Sequence, residues 1–158
     1  MMIHAPFAHP ARRGPWRGDI TLPAADETGR FGLGQASATI LAVDDEPEAL
    51  DVLRALFMVE GYEFVQAADS AQAIAHIHER QPDLLIVDYM MPGMSGIELC
   101  EYLRSDTETA DIPIIMYSAY HIPDRYWQKG LYERAFTKPA DLEELLREVH
   151  ALLSSPGR

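Results

Sequence analysis

The sequence predicts one α/β domain built on a five-stranded parallel sheet with helices on both faces. After residue 38, short apolar runs alternate five times with helical patterns, as in successive β–α units. The runs around Ile40, Leu85 and Ile114 show no polar alternation, which is typical of central strands buried on both faces. A chain of 158 residues, 47% hydrophobic, is long enough for one such domain with its tails.

The elements follow in a regular order along the chain. They are TILAV (39–43), a helix from about Pro47 to Glu60, YEFVQA (62–67), a helix from Ser70 to Arg80, DLLIV (83–87), a helix from Ser95 to Arg104, IPIIMYS (112–118), a shorter helix around Pro123 to Lys129, RAFT (134–137) and a closing helix. YEFVQ alternates more than the other runs and is predicted to lie nearer an edge. The closing helix carries a core stripe at 3.6-residue spacing, formed by Leu142, Leu145, Leu146, Val149, Leu152 and Leu153.

The first 37 residues show neither helical nor strand periodicity. They mix Pro, Gly, Arg and Ala with a few aromatic residues, so they are expected to form a flexible N-terminal extension. Two readings of the aromatic residues stay open: docking on a partner or the domain, and an unselected leader. We expect the folded domain to span 38–155. The chain ends at SSPGR, and no output domain is expected after it.

Composition excludes several classes of function. The formal net charge of −12 argues against direct binding to nucleic acid, which needs clustered Lys and Arg. The one cysteine, Cys100, falls in a helical pattern and is interpreted as a reduced packing residue. No apolar run reaches the roughly 18 residues of a membrane span. The sequence therefore predicts a cytoplasmic protein that does not insert into membranes.

Chemically active side chains stand where the predicted strands end. Asp44 and Asp45 follow the first strand, Asp88 follows the third, Ser118 closes the fourth, and Lys138 follows the fifth. Ligands bind open parallel sheets outside these carboxyl ends. The crowded carboxylates would repel one another and need a cation, and an all-oxygen ligand set suits Mg²⁺ better than zinc. Each residue alone has an ordinary structural reading, such as a cap or a turn, but the combination points to a site for a cation and a phosphoryl group.

A carboxylate can attack a phosphoryl group and carry it as an aspartyl phosphate. A metal ion and a lysine would spread the charge on the phosphoryl oxygens, and a hydroxyl could donate a hydrogen bond to one of them. Lys138 is informative because the chain has only one other lysine, Lys129, and otherwise uses Arg.

These motifs resemble the receiver domains of two-component response regulators. The resemblance covers about residues 38–154 and rests on ILAVDDEPEAL, LLIVDYMMPGMSGIEL, PIIMYSA and TKP. It implies the doubly wound, flavodoxin-like or CheY-like fold with strand order 2-1-3-4-5. It also implies that Asp88 is the phosphoacceptor, that Asp44, Asp45, Asp88 and the backbone carbonyl of Met90 bind Mg²⁺, and that Ser118 and Lys138 contact the phosphoryl group. A cis peptide bond between Lys138 and Pro139 is expected as well.

The sequence departs from the family at one position. The family usually has an aromatic switch residue three positions before the lysine, where this chain has Ala135; Phe136 follows it. Because side chains of a strand alternate between faces, the Phe136 ring is predicted to point the opposite way. The sequence leaves open which tyrosine substitutes; the candidates are Tyr117, Tyr120, Tyr126 and Tyr132.

The resemblance implies a stand-alone receiver that catalyses its own Mg²⁺-dependent phosphorylation. A sensor histidine kinase or a phosphotransfer protein would supply the phosphoryl group to Asp88, and the output would be altered binding of a protein to the fourth helix, fifth strand and fifth helix. Two alternatives are a receiver-like adaptor with an impaired switch, favoured by Ala135, and an aspartyl-intermediate phosphatase. Such phosphatases commonly place a second Asp two residues after the nucleophile, where this chain has Met90.

Overall fold

The computed structural model describes residues 38–155. Within them, strands and helices alternate as β1 Thr39–Val43, α1 Pro47–Val59, β2 Glu63–Ala67, α2 Ser70–Arg80, β3 Leu84–Val87, α3 Gly96–Ser105, β4 Ile114–Ser118, α4 Asp124–Gln128, β5 Arg134–Thr137 and α5 Leu142–Ser154. The predicted elements are confirmed to within a residue or two at their ends. The predicted flexible extension, 1–37, lies outside the described residues.

The five strands form one parallel sheet in the order β2-β1-β3-β4-β5. The predicted fold class and strand order are therefore confirmed. β2 lies at an edge, as its alternating pattern predicted. The order reverses between β1 and β3, so the carboxyl ends of these two strands flank a natural crevice for a ligand.

Two apolar layers cover the sheet, because neighbouring residues of each strand point to opposite faces. Leu41, Leu85 and Met116 belong to the layer under α2, α3 and α4. Ile86 and Tyr117 belong to the layer under α1 and α5. The predicted stripe of α5 lies in this second layer, with Leu145 and Val149 fully buried and its other leucines partly buried.

Side-chain caps set where several helices begin. The carboxylate of Asp69 accepts a hydrogen bond from the backbone N–H of Gln72 at 2.8 Å. Ser95 and Glu98 form a reciprocal capping box, which moves the first residue of α3 from the predicted Ser95 to Gly96. The α3 N-terminus is thereby fixed eight residues beyond Asp88, closing the loop that follows the predicted site.

An ion pair of Arg104 and Glu133 anchors the sheet at the end opposite to the predicted site, where β4 and β5 begin. The guanidinium donates to the carbonyl oxygens of Ala110 (2.9 Å) and Ile112 (2.8 Å), and its terminal nitrogen lies 3.2 Å from the Glu133 carboxylate. That carboxylate also accepts from the backbone N–H of Ile114, the first residue of β4. One largely buried ion pair therefore joins α3, the loop before β4 and the residue before β5.

We expect Arg104→Ala to lower the free energy of unfolding by about 2–3 kcal/mol, because it strands a poorly hydrated carboxylate and two carbonyl oxygens. Arg104→Lys should recover less than half, since an ammonium lacks the forked donors. Lys129→Ala is the matched control: its ion pair with Glu101 is exposed at 3.9 Å and should be worth about 0.5 kcal/mol or less. Urea denaturation measures all three, and equal losses for Arg104→Ala and Lys129→Ala would contradict this account.

Candidate functional site

The predicted site residues meet at the carboxyl edge of the sheet. Backbone bonds extend the strand pairing to that edge: Asp88 N–H donates to the Val43 carbonyl at 2.9 Å, and Lys138 N–H donates to the Ser118 carbonyl at 2.8 Å. Asp44 N–H likewise donates to the Ala67 carbonyl at 3.1 Å. The main chain therefore positions these side chains.

Three carboxylates share the centre of the site. Asp44, Asp45 and Asp88 can each place one oxygen so that these atoms all lie within 4.8 Å of one another. Asp44 and Asp88 are buried, whereas Asp45 is exposed. Asp44 is also held in place because its Oδ1 accepts a hydrogen bond from the backbone N–H of Glu46 at 2.9 Å. The cluster thus has a buried floor and one side open to water.

The Lys138 ammonium provides the nearest positive charge. Its Nζ lies 2.5 Å from Asp44 Oδ2 and 3.8 Å from Asp88 Oδ1, so in this state it pairs with Asp44 more closely than with Asp88. Burial lowers the pKa of Lys138, but the hydrogen bond to Asp44 and the charges of Asp44, Asp88 and Glu46 outweigh burial and raise it. The side chain therefore stays a cation. The peptide bond that follows, Lys138-Pro139, is cis, as expected.

Asp88 has a raised pKa, because its ionised form is buried and lies close to another carboxylate. Burial is the largest influence on its pKa, which rises from 3.8 to about 6; the nearby Lys138 ammonium opposes this rise, and the Asp44 charge adds to it. The Ser118 hydroxyl and the Tyr89 backbone amide oppose it more weakly. Since the folded-state pKa is the higher one, ionising Asp88 costs stability as the pH rises through about 6. A divalent cation beside it would offset that cost.

Ser118 is fully buried at the end of β4. Its Oγ accepts a hydrogen bond from the backbone N–H of Tyr120 at 3.2 Å. A hydroxyl can accept one hydrogen bond and donate another, so Ser118 retains a donor for a group on Asp88 while it contacts the start of the loop before α4.

The loop after Asp88 bends back sharply over β3. Gly93 adopts a φ of +76°, and a Cβ at Gly96 would lie only 1.9 Å from the Asp88 carbonyl oxygen. The Ser70 hydroxyl ties down the same loop by donating to the Met94 carbonyl at 2.9 Å. Met90, whose backbone carbonyl was predicted to bind the cation, lies in this loop with a half-exposed side chain. Its role remains a prediction.

The aromatic departure has a clear structural consequence. Ala135 pairs with Met116 across the strands, whereas Phe136 packs in the layer under α1 and α5. The Phe136 ring thus points away from α4, as predicted. A cavity of about 390 Å³ lies along β5, and its lining includes both Ala135 and Phe136 together with Tyr120 and Trp127.

The donor set fits Mg²⁺. It consists of carboxylate oxygens without His or Cys, and Mg²⁺ prefers a few such oxygens with water completing its shell. The exposed side of the cluster, at Asp45, leaves room for that water. The raised pKa of Asp88 also fits a cation site, because a bound cation favours the ionised carboxylate that burial and Asp44 disfavour.

Comparison with known proteins decides the family. Residues 40–150 match the profile of the response regulator receiver domain. The chain belongs to this family. Receiver domains are signalling domains of two-component systems that interact with histidine kinases or phosphotransfer proteins and bind Mg²⁺ at an acidic pocket.

The receiver matches relatives over very different shares of their length. It is 42% identical to the phosphate regulon transcriptional regulatory protein PhoB of Pseudomonas aeruginosa over 75% of this chain and 53% of PhoB. It therefore spans about half the length of that relative. It is 33% identical to PilH of the same organism, over 74% of this chain and 98% of PilH.

A solved receiver gives a structural parallel. The response regulator TrrA of Thermotoga maritima, crystallised in complex with Mg²⁺ and BeF, superposes with a TM-score of 0.66. The two are 30% identical over 73% of this receiver and 98% of TrrA. The acidic pocket of the receiver thus lies in a fold that holds Mg²⁺ and BeF in TrrA.

The structure brings the predicted acidic, hydroxyl and ammonium residues together, and two neighbours make contacts there that the sequence did not predict. Tyr117 lies under the Lys138 ammonium, 5.5 Å from Nζ to the ring centroid. The sequence made Tyr117 one of four candidates for the missing aromatic residue, but nothing in the sequence pointed to its contact with Lys138. Gly96 falls within the predicted helix from Ser95 to Arg104, and its close approach to the Asp88 carbonyl depends on how α3 enters the fold.

The electrostatic cost of Asp88 can be measured directly. In metal-free buffer at neutral pH, Asp88→Asn should raise the free energy of unfolding by about 1–2 kcal/mol, because it removes a buried, crowded charge. Added Mg²⁺ at ten times its dissociation constant should stabilise the wild type by about 1.4 kcal/mol and the variant far less. Asp51→Asn, an exposed acid on α1, should change stability by less than about 0.5 kcal/mol. If Asp88→Asn lowered the free energy of unfolding, the ionised Asp88 carboxylate could not be destabilising the metal-free protein.

The contact of Gly96 with Asp88 predicts a difference between two glycines. Gly96→Ala should cost about 3 kcal/mol or more, because the new Cβ collides with main chain that cannot move without displacing Asp88. Gly93→Ala should lower the free energy of unfolding by about 1 kcal/mol. The added Cβ meets no atom within 4 Å, so only the positive φ of this position opposes the substitution. Guanidinium denaturation compares them, and the reverse order of cost would refute the close-approach argument.

Proposed function

We propose that the receiver accepts a phosphoryl group on Asp88 from a histidine kinase or a phosphotransfer protein and catalyses this transfer itself. The observation that carries the proposal is a buried carboxylate with two further carboxylates and one ammonium around it, at the open edge of the sheet. Asp44, Asp45, Asp88 and the Met90 carbonyl are the proposed Mg²⁺ ligands. The cation, when bound, neutralises the carboxylates and the phosphoryl oxygens.

The transfer moves one phosphoryl group between two atoms. A carboxylate oxygen of Asp88 attacks phosphorus, an oxygen–phosphorus bond forms, and the bond between phosphorus and the donor histidine nitrogen breaks. The electron pair of the broken bond stays on the imidazole, which takes up a proton. Dephosphorylation is the attack of water on the same phosphorus, releasing Asp88 and inorganic phosphate.

Ser118 and Lys138 are proposed to stabilise the transferred group. The Ser118 hydroxyl donates to one phosphoryl oxygen while its own oxygen still faces the Tyr120 amide. Lys138 must give up part of its 2.5 Å contact with Asp44 to meet the new charge on Asp88. Phosphorylation adds about −1.5 to −2 charges, so this shift is electrostatically favoured.

These movements are proposed to bias the surface formed by α4, β5 and α5, where a downstream protein would bind. Lys138 follows β5 directly, and Ser118 is bonded to the segment that leads into α4. Within the described residues, α4 has only five residues and none of them is buried, so little packing resists a change in its position. The output would be a shift between pre-existing arrangements in a cytoplasmic protein, with no direct contact to nucleic acid.

One observation favours a second candidate, a constitutive adaptor with an impaired switch. Where the family usually has an aromatic switch residue, the receiver has Ala135, and the next aromatic residue, Phe136, packs in the layer under α1 and α5. An adaptor would bind its partner equally well with or without a group on Asp88.

Mass spectrometry tests the phosphoacceptor proposal. Incubation with acetyl phosphate and Mg²⁺ should add the mass of one phosphoryl group to the wild type and to the surface control Asp51→Asn, but not to Asp88→Asn, because Asp88 is the proposed nucleophile. Chelation of Mg²⁺ should abolish the adduct.

Binding of beryllofluoride distinguishes a protein that lacks the phosphoryl site from one whose aspartyl phosphate is lost too quickly to be detected. If the wild type gives no adduct dependent on Asp88 and also binds no beryllofluoride, the proposal fails. If beryllofluoride binds but the backbone amide spectra of 119–137 stay unchanged, the adaptor replaces the switch as the better description.

A further inference from the structure

Tyr117 is buried next to Ser118 yet contacts the charged part of the site. It is 7% exposed and belongs to the apolar layer under α1 and α5. The Lys138 Nζ lies 5.5 Å from the centroid of its ring, within the range of a cation–π contact. The ammonium is thus bounded by two carboxylates and by one aromatic ring.

The ring and the carboxylates act on the ammonium in different ways. Asp44 holds Nζ at 2.5 Å through a hydrogen bond that fixes one position. The negative face of an aromatic ring attracts a cation over a broader area and without a directed hydrogen bond. An ammonium supported by Tyr117 can therefore leave Asp44 and still have a favourable neighbour.

Such support matters because Lys138 has to move. Its Nζ is 3.8 Å from Asp88 Oδ1, too far for a hydrogen bond, and its flexible four-carbon stem does not fix the ammonium by itself. The Lys138 side chain is 14% exposed, so water can supply only part of the solvation that is lost when the contact with Asp44 loosens. The ring is the neighbour in place to compensate.

We propose that Tyr117 is a positioning residue for the phosphoryl-transfer chemistry: its ring holds the Lys138 ammonium between Asp44 and Asp88 and lets it shift onto a group bound to Asp88. This inference rests on the proposed function of Asp88. It concerns a residue that touches no reacting atom and acts through Lys138.

The aromatic ring of Tyr117, rather than the volume of its side chain, is what supports the Lys138 ammonium. A leucine would fill the same strand position and keep the apolar layer, but it has no negative face for a cation. Phenylalanine keeps that face and removes only the hydroxyl. The two substitutions therefore separate support of Lys138 from ordinary packing.

Titration with beryllofluoride and Mg²⁺ tests the inference. Tyr117→Leu should weaken beryllofluoride binding about threefold to tenfold, and Tyr117→Phe should stay within about twofold of the wild type. In a Lys138→Met background, Tyr117→Leu should have no further effect, because the cation it supports is gone. Phe57→Leu is the packing control: this fully buried ring lies in the same layer, and its loss should lower stability but leave the affinity unchanged.

Denaturation curves confirm that each compared variant is folded, and Tyr117→Met, which also lacks a ring, replaces Tyr117→Leu if the latter does not fold. The inference is overturned if the ringless variant binds like the wild type, if Tyr117→Phe is as weak as the ringless variant, or if the loss persists in the Lys138→Met background. A wild type that binds no beryllofluoride overturns the proposed function as well, whereas normal wild-type binding with an unaffected ringless variant overturns only the role of Tyr117.

Discussion

Three carboxylates crowded at one edge of the sheet determine how the other residues of the site are arranged. Asp44 and Asp88 are buried, and burial with the neighbouring charge raises the pKa of Asp88 to about 6. The Lys138 ammonium offsets part of this cost but sits closer to Asp44 than to Asp88. The arrangement is thus incompletely neutralised, which is the condition under which a divalent cation binds and an added anionic group rearranges its neighbours.

The fold supports this crowding through its main chain. Hydrogen bonds from the Asp88 and Lys138 backbone N–H groups continue the strand pairing to the edge, so the carboxylates cannot move apart by bending the strands. Gly96 brings α3 against the Asp88 carbonyl, where any side chain would collide. The ion pair of Arg104 and Glu133 secures the opposite end of β4. We propose that this rigid support lets small movements of Ser118 and Lys138 bias the position of α4, none of whose five residues is buried.

Much of this arrangement could be predicted from the sequence, because it follows from the direction of the strands and from the alternation of their side chains between the two faces of the sheet. Parallel strands end at one edge, so Asp88 and Lys138 had to lie on the same edge of the sheet, and alternation placed Phe136 on the face away from α4. Tyr117 was a candidate for the missing aromatic residue, but its contact with Lys138 could not be predicted, since it depends on how the Lys138 side chain folds back across the end of the sheet. Nor could the Arg104 ion pair, which joins residues 29 apart through the register of β4 and β5.

The most direct test of the account is a crystal structure of the receiver with Mg²⁺ and beryllofluoride. We expect beryllofluoride on an Asp88 carboxylate oxygen, Mg²⁺ among Asp44, Asp45 and Asp88, and the Lys138 ammonium shifted from Asp44 to a fluorine while still over the Tyr117 ring. Beryllofluoride bound elsewhere, or Lys138 still paired with Asp44 beside an occupied Asp88, would contradict it.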